Sequence, residues 1–262
     1  MKRVEYFIFR IFQGVIGHIP IRLLYILSNL CAFVVKRIIK YRYKTITKNL
    51  QNSFPNKSRK GLSQIKNKFY RNLCGVFLES FKGSSLSTEE LFERYKCLNP
   101  ELANSYFEKR QSIIFALSHY ANWEWGVNVA GVTFLHDAIS FYKPLSNRFI
   151  DKYIHDQREN RGMALYPVHK SKFIFRSEHR MPRAYFLISD QNPSNARKAY
   201  WVNFLNQETA CLHGIESYAV LFNLPVIYLD IQRVRRGFYT IELKVICDDP
   251  QNTKTRRYAQ HM

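Results

Sequence analysis

The chain has 262 residues, 46% of them hydrophobic, which excludes a disordered chain and is enough for one sizeable α/β core with or without a small appendage. Five cysteines (Cys31, Cys74, Cys97, Cys211, Cys247), an odd number without C-x-x-C spacing, argue against a disulfide framework or a zinc site and for a reducing compartment, and no secretory signal with a small-residue cleavage site is evident. The net charge is +20 and lies unevenly: Met1 to Leu78 holds 16 Lys/Arg against one acid, Glu5, so this third of the chain is expected to seek a polyanion, either nucleic acid or an anionic membrane surface.

The first 42 residues are apolar as well as basic. Leu23 to Val35 is the longest nearly uninterrupted apolar run, shorter than the ~20 residues a spanning helix needs. Extended back to Ile11 it reaches that length but is broken by His18, Pro20 and Arg22. The pattern reads as a membrane-embedded helix or broken helical hairpin, with Lys36, Arg37, Lys40 and Arg42 among lipid headgroups. A core helix of a soluble protein is the bland alternative, against which the aromatic and cationic flanks weigh. Nucleic-acid binding would want basic residues on a polar scaffold, and the greasy run fits that badly.

Residues 43–110 read as a helical N-terminal part, basic over 43–82, and "GSSLSTEEL" as a loop feeding a helix with Ser87 and Glu90 at capping-box spacing. From residue 111 to 262 strands and helices alternate. "SIIFALS" is a buried strand and "ANWEWGVNVAGVTF" the following helix. "DAISFYKP" is a strand, "NRFIDKYIHDQRENRG" an amphipathic helix closed by Gly162, and "MALYPV" a short strand. "RAYFLISDQNP" is a strand breaking at Pro193, "GIESYAVLFN" a helix, and "PVIYLDIQRV" and "FYTIELKVI" are the last two strands. This order predicts an α/β core with a mixed, mostly parallel sheet flanked by helices.

In open α/β sheets the chemistry gathers at the carboxyl ends of strands. His119 follows one such end and Asp190 closes another. A histidine past a strand with a carboxylate, Glu124, in the first turn of the next helix can form an oriented general base. G-x-S-x-G is absent, so no protein nucleophile is expected, and a base without one suits direct activation of a substrate hydroxyl, as in acyl transfer from a thioester to an alcohol. On spacing alone, a His and Glu five apart can equally be ordinary structural partners. The other histidines show neither H-E-x-x-H nor H-x-H spacing, so no metal is expected.

"LSHYANWEWG" resembles the G-H-x-x-N-W-E block of the bacterial lipid A biosynthesis acyltransferases, the lauroyl/myristoyl transferases of the lysophospholipid acyltransferase superfamily. "YKPLSNRFIDKYIHDQRENRG", "LISDQNPS" and the stretch from "WVNFLNQETACLHG" through Pro225 to "RRGFY" resemble three further blocks of that family. Upstream, "YRYKTITKNLQNSFPNKS" is similar to its Y-R…N-L-x-x-S-F-P entry, so the blocks run in family order over about residues 1–258. The C-terminal strands resemble the Bacteroidetes branch.

The resemblance implies a glycerol-3-phosphate acyltransferase-like fold, with His119 as general base and Glu124 as its orienting partner. It implies substrate contacts from Arg158, with Arg161 and Arg148 as further candidates, and from Asp190 and Gln191 near the acceptor; Asn122 is a further candidate contact or a loop-shaping residue. It implies no cofactor, acyl carrier protein as donor, a lipid A precursor as acceptor, anionic inner-membrane lipids as the surface, and a place on the cytoplasmic face of a bacterial inner membrane. Ser118 departs from the usual glycine. The chain stops at "RRYAQHM", where relatives continue through a final helix, which reads as a truncated or a divergent end. Two other readings stay open: a phospholipid or aminolipid acceptor, and a non-catalytic truncated homologue.

Overall fold

Two prolines punctuate the N-terminal third in the computed structural model, which describes residues 1–193, 195 and 199–253. Pro20 stands between α1 (Lys2–His18) and α2 (Ile21–Arg37), where its fixed φ starts a helix and its missing N–H ends one. Pro55 lies in the break between α3 (Tyr43–Ser53) and α4 (Arg59–Gly83), whose first turn is capped by the Ser58 hydroxyl accepting from Gly61 N at 3.2 Å. α5 (Thr88–Arg94) carries the expected capping box: Glu90 N donates to the Ser87 hydroxyl, and Ser87 N to the Glu90 carboxylate.

The chain continues through β1 (Tyr95–Cys97), α6 (Glu101–Glu108), β2 (Ile113–Leu117), α7 (Trp123–Thr133), β3 (Asp137–Tyr142), α8 (Arg148–Glu159) and β4 (Met163–Pro167). A 3₁₀ turn, α9 (Ser171–Arg176), β5 (Arg183–Ile188), β6 (Tyr200–Phe204), β7 (Gln207–Cys211), α10 (Gly214–Phe222), β8 (Val226–Arg235) and β9 (Phe238–Cys247) complete it.

Seven strands form one sheet in the order β1-β9-β8-β2-β5-β3-β4, parallel throughout except for the β8–β9 hairpin. The mostly parallel α/β sheet expected from the alternation of elements is therefore present. Its centre is β2, buried at every residue. The pleat sends successive side chains to opposite faces. Ile113, Phe115 and Leu117 join a core with Leu91, Ala103, Trp125 and Val129 from α5, α6 and α7; Ile114 and Ala116 join a second core with Ile174, Phe175, Ile215 and Ala219 from α9 and α10. β2 pairs with β5 in parallel, Leu117 opposite Ile188.

Some expectations need correction. The stretch 43–110 is not wholly helical, because β1 adds an edge strand to the main sheet beside β9. The β6–β7 hairpin, α6 and α9 were not legible as elements: the helices span 8 and 6 residues, too few for a periodic signal. The hairpin turns through Leu205 (φ 50°) and Asn206 (φ 61°), and only the asparagine announces a left-handed turn. α8 stops at Glu159, and Gly162 (φ 80°) lies beyond it in a left-handed turn, its backbone close against Gly131 of α7. The suspected truncated end, 254–262, lies outside the described residues.

α4 is the spine of the N-terminal helices. α2 lies on it through Leu24, Ser28 and Ala32, three buried positions four apart. Apart from Leu24, most of the large apolar residues of α2 point the other way: Leu23, Ile26, Leu30 and Phe33 are exposed. α1 repeats the inversion, with Gln13 and Ile16 buried and Val4, Phe7, Ile8, Ile11 and Val15 exposed. No helix among the described residues is long and apolar enough to cross a membrane.

Candidate active site

Parallel pairing of β2 with β5 sets two loops side by side. Two residues past the paired ends Leu117 and Ile188 come His119 and Asp190. The His119 ring Nδ1 lies 2.7 Å from Asp190 Oδ1, and His119 backbone N donates to Asp190 Oδ2 at 2.9 Å. Both oxygens of one carboxylate thus hold one residue. Burial alone would raise the Asp190 carboxyl, but the bonds from the His119 side chain and backbone outweigh this and hold it below the ordinary carboxylate range. With Nδ1–H donated to Asp190, Nε2 is left as the acceptor.

This arrangement corrects the expected orienting partner. Glu124 does not hold His119; its two oxygens accept from Arg158 Nη2, at 2.9 and 2.7 Å. The pair is partly buried, the Arg158 side chain 15% and that of Glu124 27% exposed. Trp123 joins the two pairs: its ring meets the His119 ring edge-on at 5.0 Å and takes the Arg158 guanidinium over its face at 5.7 Å.

Asn122 contacts no substrate space. It is fully buried, its Oδ1 caps α7 by accepting from Trp125 N at 3.1 Å, and its Nδ2 donates to Glu79 at 3.0 Å. Its part is to hold the loop, in which Ala121 takes a left-handed φ of 53°. Arg161 Nη2 donates to the carbonyls of Gly83 and Leu86, tying the end of α4 to the turn that follows α8, and its Nη1 is buried without a partner among the described residues. Burial holds the Arg161 guanidinium below its ordinary pKa. Gln191 and Arg148 are exposed and do not line the site.

Beside His119 opens a groove of about 580 Å³. One wall is a stripe of α4 and its C-cap: Phe69, Asn72, Leu73, Val76, Phe77, Ser80, Phe81 and Ser84. These positions recur every three or four residues, and from 69 to 84 the helix rises about 22 Å. Phe9 and Gln13 of α1, Tyr153, Ile154 and Gln157 of α8, and His119, Trp123, Glu124, Arg158 and Arg161 close it. α1 is tied to α8, since Asn147 Nδ2 donates to Lys2 O and Glu5 Oε2, both at 2.9 Å, and Gln13 bridges Ser84 and Tyr153. Sequence reading missed this wall because the basic residues of 43–82 mask the apolar stripe.

The family model described as bacterial lipid A biosynthesis acyltransferase matches residues 2–262. The chain belongs to this family. Membership supports acyl-group transfer in lipid A biosynthesis as its class of activity. No curated protein matches the chain. Among the described residues of this acyltransferase family member, no three His, Cys, Asp or Glu side chains stand together as metal ligands would.

Proposed function

We propose that the chain moves a fatty acyl group from acyl carrier protein to a hydroxyl of a lipid A precursor, at the cytoplasmic face of an anionic inner membrane. The observation that carries this reading is the position of His119, held by Asp190, on a long groove walled by the apolar stripe of α4. Nε2 of His119 takes the proton of the acceptor hydroxyl as its oxygen attacks the thioester carbonyl. The new C–O ester bond forms, the C–S bond breaks, and the proton passes to the departing thiolate. Asp190 stabilises the imidazolium without itself being protonated. Arg158, set by Glu124, supplies positive charge beside the reacting centre. The thioester is already activated, so base, orientation and charge suffice.

The membrane part of the reading is supported by the outward apolar faces of α1 and α2, flanked by Lys2, Arg3, Arg22, Lys36, Arg37 and Lys40. Exposed large apolar residues beside cations suit a helix pair lying in the headgroup region rather than crossing it, and each cation near an anionic leaflet contributes about 1 kcal/mol. The basic surface also suits an acidic carrier protein.

The test is acyl transfer in membranes containing the chain, with acyl carrier protein loaded with fatty acids of several lengths and a tetra-acylated lipid A precursor, products read by mass. A gain of one acyl group that disappears in His119→Ala supports the proposal. Transfer only to a phospholipid or aminolipid replaces the acceptor, and no transfer from a folded chain to any acceptor refutes the catalytic reading.

A further inference from the structure

Glu79 is a carboxylate at the centre of the molecule, on the side of α4 away from solvent and fully buried. Its Oε2 accepts from Asn122 Nδ2 at 3.0 Å and from the Tyr239 hydroxyl at 2.6 Å. Its backbone carbonyl accepts from the Trp125 indole at 2.8 Å. No cation lies within ion-pair distance of it among the described residues; Oε1 makes no hydrogen bond of good geometry, although the Tyr25 hydroxyl of α2 faces this carboxylate and the Arg236 guanidinium lies near enough to feel its charge. Such a group is unfavourable in a core that apolar packing alone would stabilise.

The three groups that donate to Glu79 bear on the loop that carries His119 or on the helix after it: Asn122 and Trp125 belong to them, and the Tyr239 ring meets that of Trp125 edge-on at 6.1 Å. The direction of the Asn122 amide is fixed, because its oxygen accepts from Trp125 N, so its nitrogen must donate to Glu79. The loop between His119 and Asn122 contains Ala121 in a left-handed conformation, which a residue with a Cβ adopts only when held from outside. The side chain of Glu79 anchors one end of α7's first turn and its carbonyl the other; the same turn presents Trp123 and Glu124 to the groove. The Asn122 amide alone caps α7, but without Glu79 it would face the core with its donors unpaired.

We propose that Glu79 is a positioning residue for acyl transfer: acting through Asn122, it fixes the loop that presents His119 to the groove. The proposal rests on the function proposed above only for its kinetic readout. It predicts a pairing that can be inverted. Glu79→Gln keeps an oxygen where Oε2 accepts both donors, so it retains most of the positioning. Asn122→Asp sets two carboxylates against each other and breaks it. The double variant Glu79→Gln/Asn122→Asp restores one donor and one acceptor with their direction reversed, while the carboxylate now at position 122 still caps α7.

The experiment takes the full chain with these three variants and Glu79→Ala. The first readout needs no substrate: the imidazole Nδ1–H signal of His119, followed by NMR on histidine-labelled protein and assigned by its loss in His119→Ala. The second is kcat and KM separately. The expected result is that Glu79→Ala and Asn122→Asp broaden or shift that signal. They also lower kcat on the order of 10²-fold, the effect of a ~1 Å misplacement, with KM nearly unchanged. The double variant recovers both. If folded Glu79→Ala keeps signal and kcat, or the folded double variant stays as impaired as Asn122→Asp, the proposal is overturned. If Glu79→Ala does not fold, the near-isosteric inversion pair decides. If no acceptor is acylated by the unaltered chain, the function proposed above fails while the His119 signal still decides this one.

Discussion

Asp190 grips His119 twice, one oxygen on the ring and the other on the backbone amide of the same residue, 71 positions earlier in the chain. The carboxylate therefore sets both the tautomer of the imidazole and the path of the backbone that carries it.

Asp190→Asn keeps the size of the side chain and part of the hydrogen bonding but can settle the wrong tautomer. Acyl transfer should fall on the order of 10²-fold or more, with KM little changed. The carboxyl of Asp190 is held below its ordinary value, so its contribution to stability is full above about pH 3.9 and is lost as pH falls through the lower folded value. Acid unfolding followed by circular dichroism should separate the unaltered chain from Asp190→Asn above that window and bring them together below it.

The Glu124–Arg158 pair invites a double-mutant cycle. Glu124→Gln and Arg158→Gln should each lower kcat, and each should lower stability by about 1–2 kcal/mol, since each leaves a partly buried partner unmatched. The coupling energy from urea melts should be about 0.5–3 kcal/mol, and a value near zero would show that the two side chains act independently. Arg158→Lys should rescue activity poorly, because an ammonium cannot reproduce the planar guanidinium against both the carboxylate and the Trp123 ring.

Val76 lies midway along the α4 wall of the groove. Val76→Trp should narrow the groove at that point. In the acyl-transfer assay the preference among donors should move toward shorter chains, while the Tm changes little because the position borders open space. An unchanged chain-length profile would mean that the acyl group lies elsewhere.

The inverted amphipathicity of α2 gives a surface test. Ile26→Asn and Leu30→Asn replace exposed side chains, so stability should stay within about 0.5 kcal/mol. Binding to vesicles containing anionic lipid should nevertheless weaken about tenfold or more for each, from the loss of about 1.5–3 kcal/mol of apolar burial in lipid. Raised salt should weaken binding further, and neutral vesicles should show little salt effect.

The sheet was readable because its strands are runs of buried residues such as "IIFAL", bounded by turn residues, and because helices separate them. His119 and Asp190 were each visible as polar residues at strand ends, but which carboxylate meets the histidine was not. Sequence proximity favoured Glu124, five residues on, whereas strand order, which no local pattern encodes, put β5 beside β2. Glu79 was invisible for a related reason: in "CGVFLESFK" it looks like one of the many exposed glutamates of an amphipathic helix, and only the packing of α7 and β9 against α4 makes it a core residue. The outward turn of Leu23, Ile26, Leu30 and Phe33 likewise depends on α4, against which α2 packs its Leu24, Ser28 and Ala32 face.

The pairing of Leu117 with Ile188 also makes the dyad a sensor of correct assembly. A slip of one residue between β2 and β5 would displace the two loops by about 3.3 Å, more than the 2.7 Å that separates ring from carboxylate. A chain caught in a neighbouring alignment during folding would carry a complete set of side chains and no working base. Under the chemistry proposed here, activity therefore switches on only when the central strands have locked, so a newly made chain cannot activate an acceptor hydroxyl before its groove exists to hold the thioester.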